Sequence, residues 1–425
     1  MRLLLLSLNY APEPTGIAVY SNGLAETLVA SGHEVKVVCA NPHFPRWRLF
    51  EGYSAMRWTT RIEAGVEVTR CPIYIPVSPQ GAARIAHYIT FLCTALWPML
   101  HSARKLRPQV VICVAPSLIS TPVAVLAAWV SGAKSWLHVQ DFEVEAAFAT
   151  GNMESSGVLA RAAIAFESRM IKAFDRVSTI SPEMCRKLVV KGRNPDHVYE
   201  LRNWAEIDRI KPQATSSYRE QWAITTPHVA LYSGSIALKQ GIETIVDVAR
   251  LLEARKDLTF VVCGNGPTRA ALEARAADIT NVRFFDLQPM ERLGDLLALA
   301  SVHLLPQRAD AADLVLPSKL ANMLASGRPV VAGVEAGRGL AREVKGAGLI
   351  CKPDDAPDMA AAIEQLLGDL ALYKACSDEA VRRAHEAWSR SKIIGRFAEE
   401  LECIVGGGRG GAGPTHADAA SALAG

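Results

Sequence analysis

The stretch Val229–Gly266, VALYSGSIALKQGIETIVDVARLLEARKDLTFVVCGNG, decides the fold class. At its two ends, Val229–Tyr232 and Leu258–Cys263 are short apolar runs that predict buried strands. Between them, Ile242–Ala254 repeats apolar side chains at helical spacing. A helix that joins two buried strands is the usual crossover between parallel strands. The stretch therefore predicts a parallel sheet with helices on both faces.

The same alternation continues in both directions along the chain. Further buried strands are predicted at Leu3–Leu8, Val35–Cys39, Val110–Val114, Ser135–Val139, Val177–Ile180, Val282–Phe285, Val302–Leu305, Val330–Ala332 and Leu349–Cys351. Predicted helices include Ala18–Ser31, Leu118–Val130, Val158–Ala173, Thr268–Ala277 and Met359–Leu367. Two successive series of this kind in 425 residues predict two doubly wound α/β domains.

The domain boundary is expected in the polar segment around residues 203–227, which contains Pro212 and Pro227. We predict a first domain over residues 1–205 and a second over 206–385. One helix is predicted from about Glu379 to Ile404, and it contains Trp388 and Phe397. The part of this helix beyond the second domain, residues 386–405, is assigned as a C-terminal helix. The Gly- and Ala-rich residues 406–425 are predicted to be a disordered tail.

Charge and cysteine content exclude some functions. The net charge is only +3, so a strongly basic nucleic-acid binder is not expected. However, no acidic residue occurs from Val68 to Gln140, a stretch that contains six basic residues. The nine cysteines are single, without a Cys-x-x-Cys pair, which predicts buried, reduced thiols and a cytoplasmic protein.

Candidate site residues lie directly after predicted strands, where ligands bind in doubly wound sheets. In the second domain, Gly234, Ser235 and Lys239 could form a diphosphate cradle of amides and one ammonium. Gly264 and Gly266, which follow the next strand, are further candidate donor-binding residues. Arg269 replaces the third glycine of a dinucleotide-binding fingerprint, so the main evidence for an NAD-dependent dehydrogenase is missing.

A longer segment, residues 305–319, ends at a predicted helix that opens with Pro317. Ser318 and Lys319 fall in its first turn, where amides, a hydroxyl and an ammonium could converge on an anion. Arg308 in the same segment could bind a phosphate with two hydrogen bonds. The alternative is structural, with Ser318 as a helix cap and Lys319 in solvent.

Two segments of the first domain contain the remaining candidate site residues. Thr15 and Gly16 precede a helix and could approach a ligand closely, although they could also form only a turn. His138 lies at the end of the strand Ser135–Val139, with Asp141 and Glu143 just beyond it, and these residues could act as a base or as ligands of sugar hydroxyls. The alternatives are a buried core histidine and acids that stabilise a helix N-terminus.

Together these segments resemble glycosyltransferase family 4 enzymes of GT-B fold, in particular the group of WcaI-type colanic-acid and exopolysaccharide transferases. The resemblance covers residues 1–400. It is most specific in NYAPEPTG (Asn9–Gly16), WLHVQDFEVEAAF (Trp136–Phe148), VSTISP (Val177–Pro182), Asn203-Trp204, YSGSIALKQG (Tyr232–Gly241) and LLPQRADAADLVLPSKLANMLASGRP (Leu304–Pro329).

The resemblance implies two facing Rossmann-like domains with an interdomain cleft and a C-terminal crossover helix that packs back on the first domain. The first domain would bind acceptor, and the second a nucleotide-sugar donor, through the diphosphate region of Gly234, Ser235, Lys239, Pro317, Ser318 and Lys319. The loop that contains Leu287 matches the segment that flanks the base. Such enzymes are usually retaining and independent of metals, so no cofactor and no metal are expected.

The chain departs from the family pattern at several positions. Counting back from Gly327, the two glutamates common in the family would stand at Leu314 and Asn322. The lysine that often directly precedes the glycine is replaced by Gln240, and Lys239 lies one residue earlier. Asn322 stays a candidate donor-binding residue, but how the donor's ribose is bound there does not follow from the resemblance.

The resulting hypothesis is transfer of a sugar, with fucose as one candidate by analogy, to a lipid-linked saccharide in exopolysaccharide synthesis. Lys239 and Lys319 would stabilise the leaving diphosphate, and Asp141 and His138 would contact acceptor or donor hydroxyls. Apolar residues at helical spacing (Ile85, Tyr88, Ile89, Leu92, Leu96 and Met99) with basic ends suggest that residues 84–107 dock on the inner face of the cytoplasmic membrane. A buried helix is the alternative to this docking.

Two other functions remain open from the sequence. A nucleotide-sugar 2-epimerase has the same two-domain architecture and needs no lipid acceptor. A non-catalytic scaffold of a polysaccharide assembly complex would have the same fold but no catalytic activity. The absence of the two family glutamates keeps this alternative open.

Overall fold

The computed structural model describes residues 1–14, 16–145, 157–205, 207–236, 240–308 and 318–407, without the side chains of Leu159, Asp208 and Ser318. The chain forms two compact units. The first consists of Met1–Arg202 together with the chain from Ile394 onward, and the second is Asn203–Ile393.

The first unit contains an eight-stranded sheet in the order β3-β4-β2-β1-β5-β6-β7-β8. Its strands are β1 Arg2–Ser7, β2 Glu34–Ala40, β3 Thr59–Glu63, β4 Val66–Cys71, β5 Val110–Ala115, β6 Lys134–Val139, β7 Arg176–Thr179 and β8 Val198–Glu200. All neighbouring strands are parallel except β3 and β4. Every residue of β5 and all but the first of β1 are buried, because helices cover both faces of the sheet.

The helices of this unit connect the strands. They are α1 Ile17–Ala30, α2 Gly81–Leu106, α3 Thr121–Ser131, α4 Val158–Ala173 and α5 Pro182–Val190. Helices α2 and α3 pack their buried residues, among them Phe91, Met99 and Ala124, on the sheet in one apolar core. The strands and helices predicted for this half of the chain are all present.

The hairpin of β3 and β4 was not predicted. Its turn, Ala64-Gly65, has φ values of 48° and 83°, as required for a tight two-residue hairpin turn. Three of the five residues of β3 are exposed, so its sequence lacks the apolar pattern of a buried strand. The three-residue strand β8 was missed for a similar reason, since all its residues are only partly buried.

The second unit contains a six-stranded, fully parallel sheet in the order β11-β10-β9-β12-β13-β14. Its strands are β9 His228–Ser233, β10 Leu258–Cys263, β11 Val282–Phe285, β12 Val302–Leu305, β13 Val330–Gly333 and β14 Gly348–Cys351. Its helices are α6 Tyr218–Gln221, α7 Glu243–Leu251, α8 Arg269–Arg275, α9 Leu293–Ala298, α10 Ser318–Ala325, α11 Gly339–Val344, α12 Ala356–Gly368 and α13 Leu370–Ala387. Strand β10 is completely buried, as predicted.

The single C-terminal helix predicted from Glu379 to Ile404 is wrong. Helix α13 ends at Ala387, and α14 begins at Arg390 and continues to Val405. Between them the carbonyl oxygen of Trp388 accepts a hydrogen bond from the backbone N–H of Ala205 (3.2 Å), and Ala205 forms a β-bridge with Ser389. This tertiary pairing replaces the helical hydrogen bonds at that point. From Ile394 onward α14 belongs to the first unit, where the Phe397 ring packs on Trp136 (4.9 Å between centroids).

Helix α2 has two apolar faces, which the sequence prediction combined into one. Met99 is fully buried, and Tyr88 and Leu92 pack against the core. Ile85, Ile89 and Leu96 are exposed. Trp97, which the prediction omitted, is 71% exposed. No helix among the described residues combines the length and the apolar character needed to cross a membrane.

The cysteines are free, as expected, but not all are buried. Six are buried, Cys185 and Cys403 are partly buried, and Cys93 is exposed because it lies on the outer face of α2.

Candidate functional site

Each sheet has a point where the order of strands reverses along the chain, and ligands of doubly wound folds bind beyond the carboxyl ends of the strands there. In the second unit this point lies between β9 and β12, and in the first between β1 and β5. The loops that leave these strands contain several of the predicted site residues.

Lys319 is an ionisable side chain at the switch point of the second unit. It lies in the first turn of α10, and its Nζ is 3.2 Å from Tyr232 Oη and 3.4 Å from Gln240 Oε1. The ammonium also lies 4.5 Å from the centre of the Tyr232 ring. Among the described residues no carboxylate lies near enough to lower the cost of its burial, and burial alone reduces the pKa of Lys319 to about 8.

Tyr232 and Gly234 hold this lysine in place. Tyr232 Oη donates a hydrogen bond to the carbonyl of Ser235 (2.6 Å), so it accepts from the Lys319 ammonium. Gly234 has φ 140°, and a Cβ placed there would lie 3.7 Å from Lys319 Cδ. The lysine therefore stacks directly on the glycine turn that follows β9. Tyr232 was not predicted as a site residue, because its contact with Lys319 joins residues that are 87 positions apart.

Gly264 and Gly266 have a structural role that the sequence prediction did not foresee. The loops after β9 and β10 are joined by backbone hydrogen bonds from Gly234 N to Cys263 O (2.9 Å) and from Ile236 N to Asn265 O (3.0 Å). A Cβ at Gly264 would lie 1.8 Å from the Gly234 carbonyl oxygen, and one at Gly266 would lie 2.0 Å from that of Ile236. These glycines are required for close packing of two loops.

Other predicted donor residues also lie in the second unit. Arg308 Nη1 donates to Glu243 Oε1 (3.2 Å) and packs near Gly241, so its guanidinium is already paired in part. Ser235 is exposed and Asn322 is partly buried. Leu287, in the loop after β11, is 62% exposed. Lys239, Pro317 and the Ser318 side chain lie outside the described residues.

In the first unit, Asp141 and Glu143 adopt different environments after β6. Asp141 is exposed and lines a small hollow together with Glu143, Leu118 and Glu167. The Glu143 carboxylate accepts the backbone N–H groups of Ser117 (2.8 Å) and Leu118 (2.7 Å). Its burial raises the pKa of Glu143, although these amides oppose the shift. Glu143 therefore fixes the loop after β5 at the switch point.

His138 is buried in the sheet instead of lining a cleft. Its Nδ1 lies 2.9 Å from Ser178 Oγ and its Nε2 lies 3.0 Å from Gln140 Nε2, so both ring nitrogens have a partner. Burial lowers the pKa of His138 to about 3. This geometry favours the alternative of a satisfied core histidine over a general base.

The loop after β1 is held by Glu13. Its Oε1 accepts the backbone N–H groups of His43 (2.8 Å) and Phe44 (2.9 Å), and its Oε2 accepts from Asn9 Nδ2 (2.8 Å). Gly16, at φ 64°, precedes α1 in a left-handed conformation that favours glycine. Thr15 lies outside the described residues.

No metal site is evident in the part of the chain that the structure describes. Within it, no three His, Cys, Asp or Glu side chains come together in a group that could hold an ion. Independence of metals remains a prediction.

Comparison with known proteins agrees with this architecture. Residues 15–204 match the family described as Glycosyl transferase 4-like domain, and residues 227–369 match Glycosyl transferases group 1. The proposed colanic acid biosynthesis glycosyl transferase WcaI of Escherichia coli strain K12 is 36% identical over 378 residues, which cover 86% of this chain and 92% of that protein.

Solved structures share the fold at low sequence identity. Sucrose-phosphate synthase of Thermosynechococcus elongatus has a TM-score of 0.68 at 17% identity, over 96% of this chain and 99% of that one. HepE of Anabaena, crystallised with UDP-glucose, has a TM-score of 0.61 at 14% identity, over 95% of this chain and 99% of that one. The two parallel-sheet domains and these likenesses confirm the predicted GT-B fold class. The chain therefore belongs to the glycosyltransferases that combine a glycosyl transferase 4-like domain with a glycosyl transferases group 1 domain.

Proposed function

We propose that this glycosyltransferase transfers a sugar from a nucleoside-diphosphate donor to a lipid-linked saccharide during exopolysaccharide assembly. The proposal rests on the Lys319 ammonium, which is largely buried at the β9–β12 switch point and has no neighbouring carboxylate among the described residues. A diphosphate supplies the negative charge that this ammonium lacks. The 36% identity to the colanic acid relative and the UDP-glucose complex of HepE support the choice of pathway and donor class.

The chemistry proposed for the second unit is stabilisation of the leaving group. When the bond from the anomeric carbon to the phosphate oxygen breaks, negative charge develops on the diphosphate. Lys319 opposes this charge as a point cation, while Tyr232 and Gln240 hold its position. The acceptor hydroxyl forms the new bond to the anomeric carbon and gives its proton to the departing phosphate oxygen. Such transfer retains the configuration and needs neither a protein base nor a metal.

A thermal-shift screen against GDP-, UDP- and dTDP-sugars tests the donor class. A ligand that binds only the folded protein stabilises it by mass action, by about 2.7 kcal/mol at a hundredfold excess over Kd. We expect one of these nucleotides to raise the melting temperature, and the same sugar without its nucleotide to have no effect. If none of the three stabilises the protein, the proposed donor class is wrong.

Donor affinity is expected to decrease above pH 8. The pKa of Lys319, about 8 in the folded protein, lies below its ordinary value of 10.5, so the ammonium loses its proton as the pH rises past 8. Anion binding requires the protonated form, and the Kd for a nucleoside-diphosphate sugar should rise roughly tenfold per pH unit above that point. Isothermal titration from pH 6.5 to 9.5 measures this, and a Kd independent of pH would argue against Lys319.

The first unit is proposed to dock on the inner face of the cytoplasmic membrane through the outer face of α2. This face presents Ile85, Ile89 and Trp97, which are 47%, 45% and 71% exposed. Trp58 lies beside it and donates a hydrogen bond from its indole N–H to the Thr94 carbonyl (3.0 Å). Basic residues at the end of the helix, including Arg104 and Lys105, would each add about 1 kcal/mol on an anionic surface.

Vesicle flotation tests this docking. The wild-type protein should float with vesicles of phosphatidylglycerol and phosphatidylethanolamine at low salt, and less at high salt because screening weakens the basic contribution. Replacing Trp97 by Glu should reduce binding at least about tenfold, since it places a charge in the apolar contact. The matched control is Leu370→Glu on the second unit, where Leu370 is 82% exposed. Equal flotation of the two variants would contradict the proposed face.

A further inference from the structure

We propose that Trp47, together with His43 and His87, forms a binding subsite for one pyranose ring of the saccharide acceptor. The inference rests on the proposed function and names residues that none of the motifs contains. Three independent observations lead to it: a strained tryptophan, a cluster of aromatic rings around it, and a buried ring nitrogen without a partner.

Trp47 has a backbone conformation that a bulky residue rarely adopts. Its φ is 50°, in the left-handed region that ordinarily favours glycine. Such residues concentrate at ligand sites, because the surrounding structure must hold them there at a cost. The indole is nevertheless only partly buried, so packing alone does not explain why the chain keeps a tryptophan at this position.

The ring of Trp47 completes an aromatic cluster. Its centroid lies 5.1 Å from the His87 ring, 5.8 Å from His43 and 6.4 Å from Phe44. The two histidine rings are themselves 4.8 Å apart. Both histidines are almost completely buried, with 0% and 1% of their surface exposed. The partly exposed Trp47 ring therefore lies against two buried imidazole rings, and the C–H face of a pyranose can stack on an aromatic ring of this kind.

The nitrogen without a partner defines the polar part of the subsite. The Nδ1–H of His87 donates to the carbonyl oxygen of Tyr74 (2.5 Å), so Nε2 carries a lone pair. This Nε2 is buried and has no hydrogen-bond partner among the described residues. Burial lowers the pKa of His87 to about 4, so the ring stays neutral at physiological pH. A neutral, buried acceptor nitrogen can accept a hydrogen bond from a hydroxyl group, and a sugar supplies hydroxyl groups.

Access to this nitrogen requires a shift of a neighbouring ring. His43 is fixed, because its Nδ1 lies 2.9 Å from the Asn41 carbonyl oxygen and its backbone N–H is bound by Glu13. Trp47 and Tyr88 are both partly buried rings beside His87, 5.1 and 5.5 Å from it, and the strain of the Trp47 backbone makes its departure from the present position less costly. A sugar hydroxyl would then reach His87 Nε2 while the ring face remains available to the pyranose.

The cluster lies where the acceptor side of the first unit was predicted. Glu13, from the loop after β1, binds the backbone N–H groups of His43 and Phe44 directly. A Cβ at Gly16 would lie 3.8 Å from the Phe44 ring, so the loop that ends at Gly16 borders the cluster. These contacts join the subsite to the carboxyl end of β1 at the switch point of the sheet.

The decisive variant is Trp47→Gly, because it relieves the left-handed strain while it removes the stacking ring. Saturation-transfer NMR with a panel of decyl glycosides (glucoside, galactoside and fucoside) reports direct sugar binding, and KM for a lipid-linked acceptor reports the same contact in turnover. We expect a roughly tenfold weaker sugar affinity and higher acceptor KM in Trp47→Gly, with Kd for the nucleoside-diphosphate sugar unchanged and a melting temperature near that of the wild type. Trp47→Phe should restore most of the affinity.

The matched control is Trp129→Ala on α3, which removes a 79% exposed tryptophan of the same unit and should leave sugar affinity within twofold of the wild type. Sugar binding by Trp47→Gly within twofold of the wild type would overturn the subsite. A parallel loss of nucleotide affinity would also overturn it, because the ring would then serve the nucleotide. If the wild-type protein binds the glycosides but transfers no sugar to any lipid-linked acceptor, the proposed function fails while the subsite stands; if it binds no glycoside, the subsite fails.

Discussion

The variant Lys319→Met is expected to lose sugar transfer by about 10²–10³-fold, the usual loss when one preorganised charge-stabilising group is removed. Its unfolding free energy at pH 7 should stay the same or rise. Methionine fills similar space without a charge, and the ammonium it replaces is buried beside Tyr232 and Gln240 with no compensating carboxylate among the described residues. A variant that becomes inactive without losing stability identifies a residue kept for function.

The pH dependence of stability provides a second signature of the same lysine. Its pKa in the folded protein, about 8, lies below its ordinary value, 10.5. Between these values the unfolded chain binds more protons than the folded one, so this residue makes the unfolding free energy increase as the pH rises through that window. The increase should disappear in Lys319→Met. Above pH 8, therefore, the contribution of Lys319 to the unfolding free energy should rise with pH while donor affinity falls.

Lys256→Met is the matched control, since Lys256 is an exposed lysine of the same unit whose Nζ donates a hydrogen bond to the Glu253 carbonyl (3.1 Å). It should retain wild-type turnover and the wild-type pH profile of unfolding. If Lys319→Met keeps donor affinity and turnover within a few-fold of the wild type, the diphosphate does not bind at Lys319.

Gly264→Ala is expected to destabilise the second unit by about 3 kcal/mol or more, because the new Cβ meets backbone that cannot move aside. It would lie 1.8 Å from the Gly234 carbonyl oxygen, within the two loops that meet beside Lys319. Donor binding should fall together with stability, as the glycine turn under Lys319 is displaced. Urea unfolding followed by circular dichroism measures the first effect, and nucleotide titration the second.

The control for this variant is Gly368→Ala at the end of α12, where a Cβ would have no heavy atom within 4 Å. It should change stability by less than about 1 kcal/mol, in the stabilising direction. Should Gly264→Ala fold with wild-type stability and lose only nucleotide affinity, Gly264 would contact the ligand directly and its proposed packing role would be wrong.

The buried elements of both domains were predictable from the sequence, because strands covered on both faces are continuous apolar runs. β1 and β10 show this most clearly, with nearly every residue buried. β3 was missed because its side chains face solvent, and the break between α13 and α14 was missed because it depends on the pairing of Ala205 with Ser389. Local sequence patterns reveal neither the pairing of a solvent-exposed strand nor contacts between residues that are distant in the chain.

The loops that form the candidate sites were predictable from the sequence, but few of the contacts within them were. The position of Lys319 in the first turn of α10 followed from the helix pattern, but its partner Tyr232 did not. Glu143 and His138 were selected for their chemistry, whereas the structure shows Glu143 bound to two amides and His138 buried. Trp47 gave no signal at all, because neither its backbone angle nor its neighbours can be derived from the residues around it.

The most direct test of the proposed function follows a labelled sugar. Purified protein is incubated with GDP-, UDP- and dTDP-sugars labelled in the sugar, together with vesicles that contain lipid-linked saccharides, and the lipid and nucleotide fractions are analysed. We predict that label moves from one donor into the lipid-linked fraction, with one nucleoside diphosphate released per sugar, and that Lys319→Met stops this transfer. Recovery of the donor as an epimer, or of all label in unchanged donor, would contradict the proposed function.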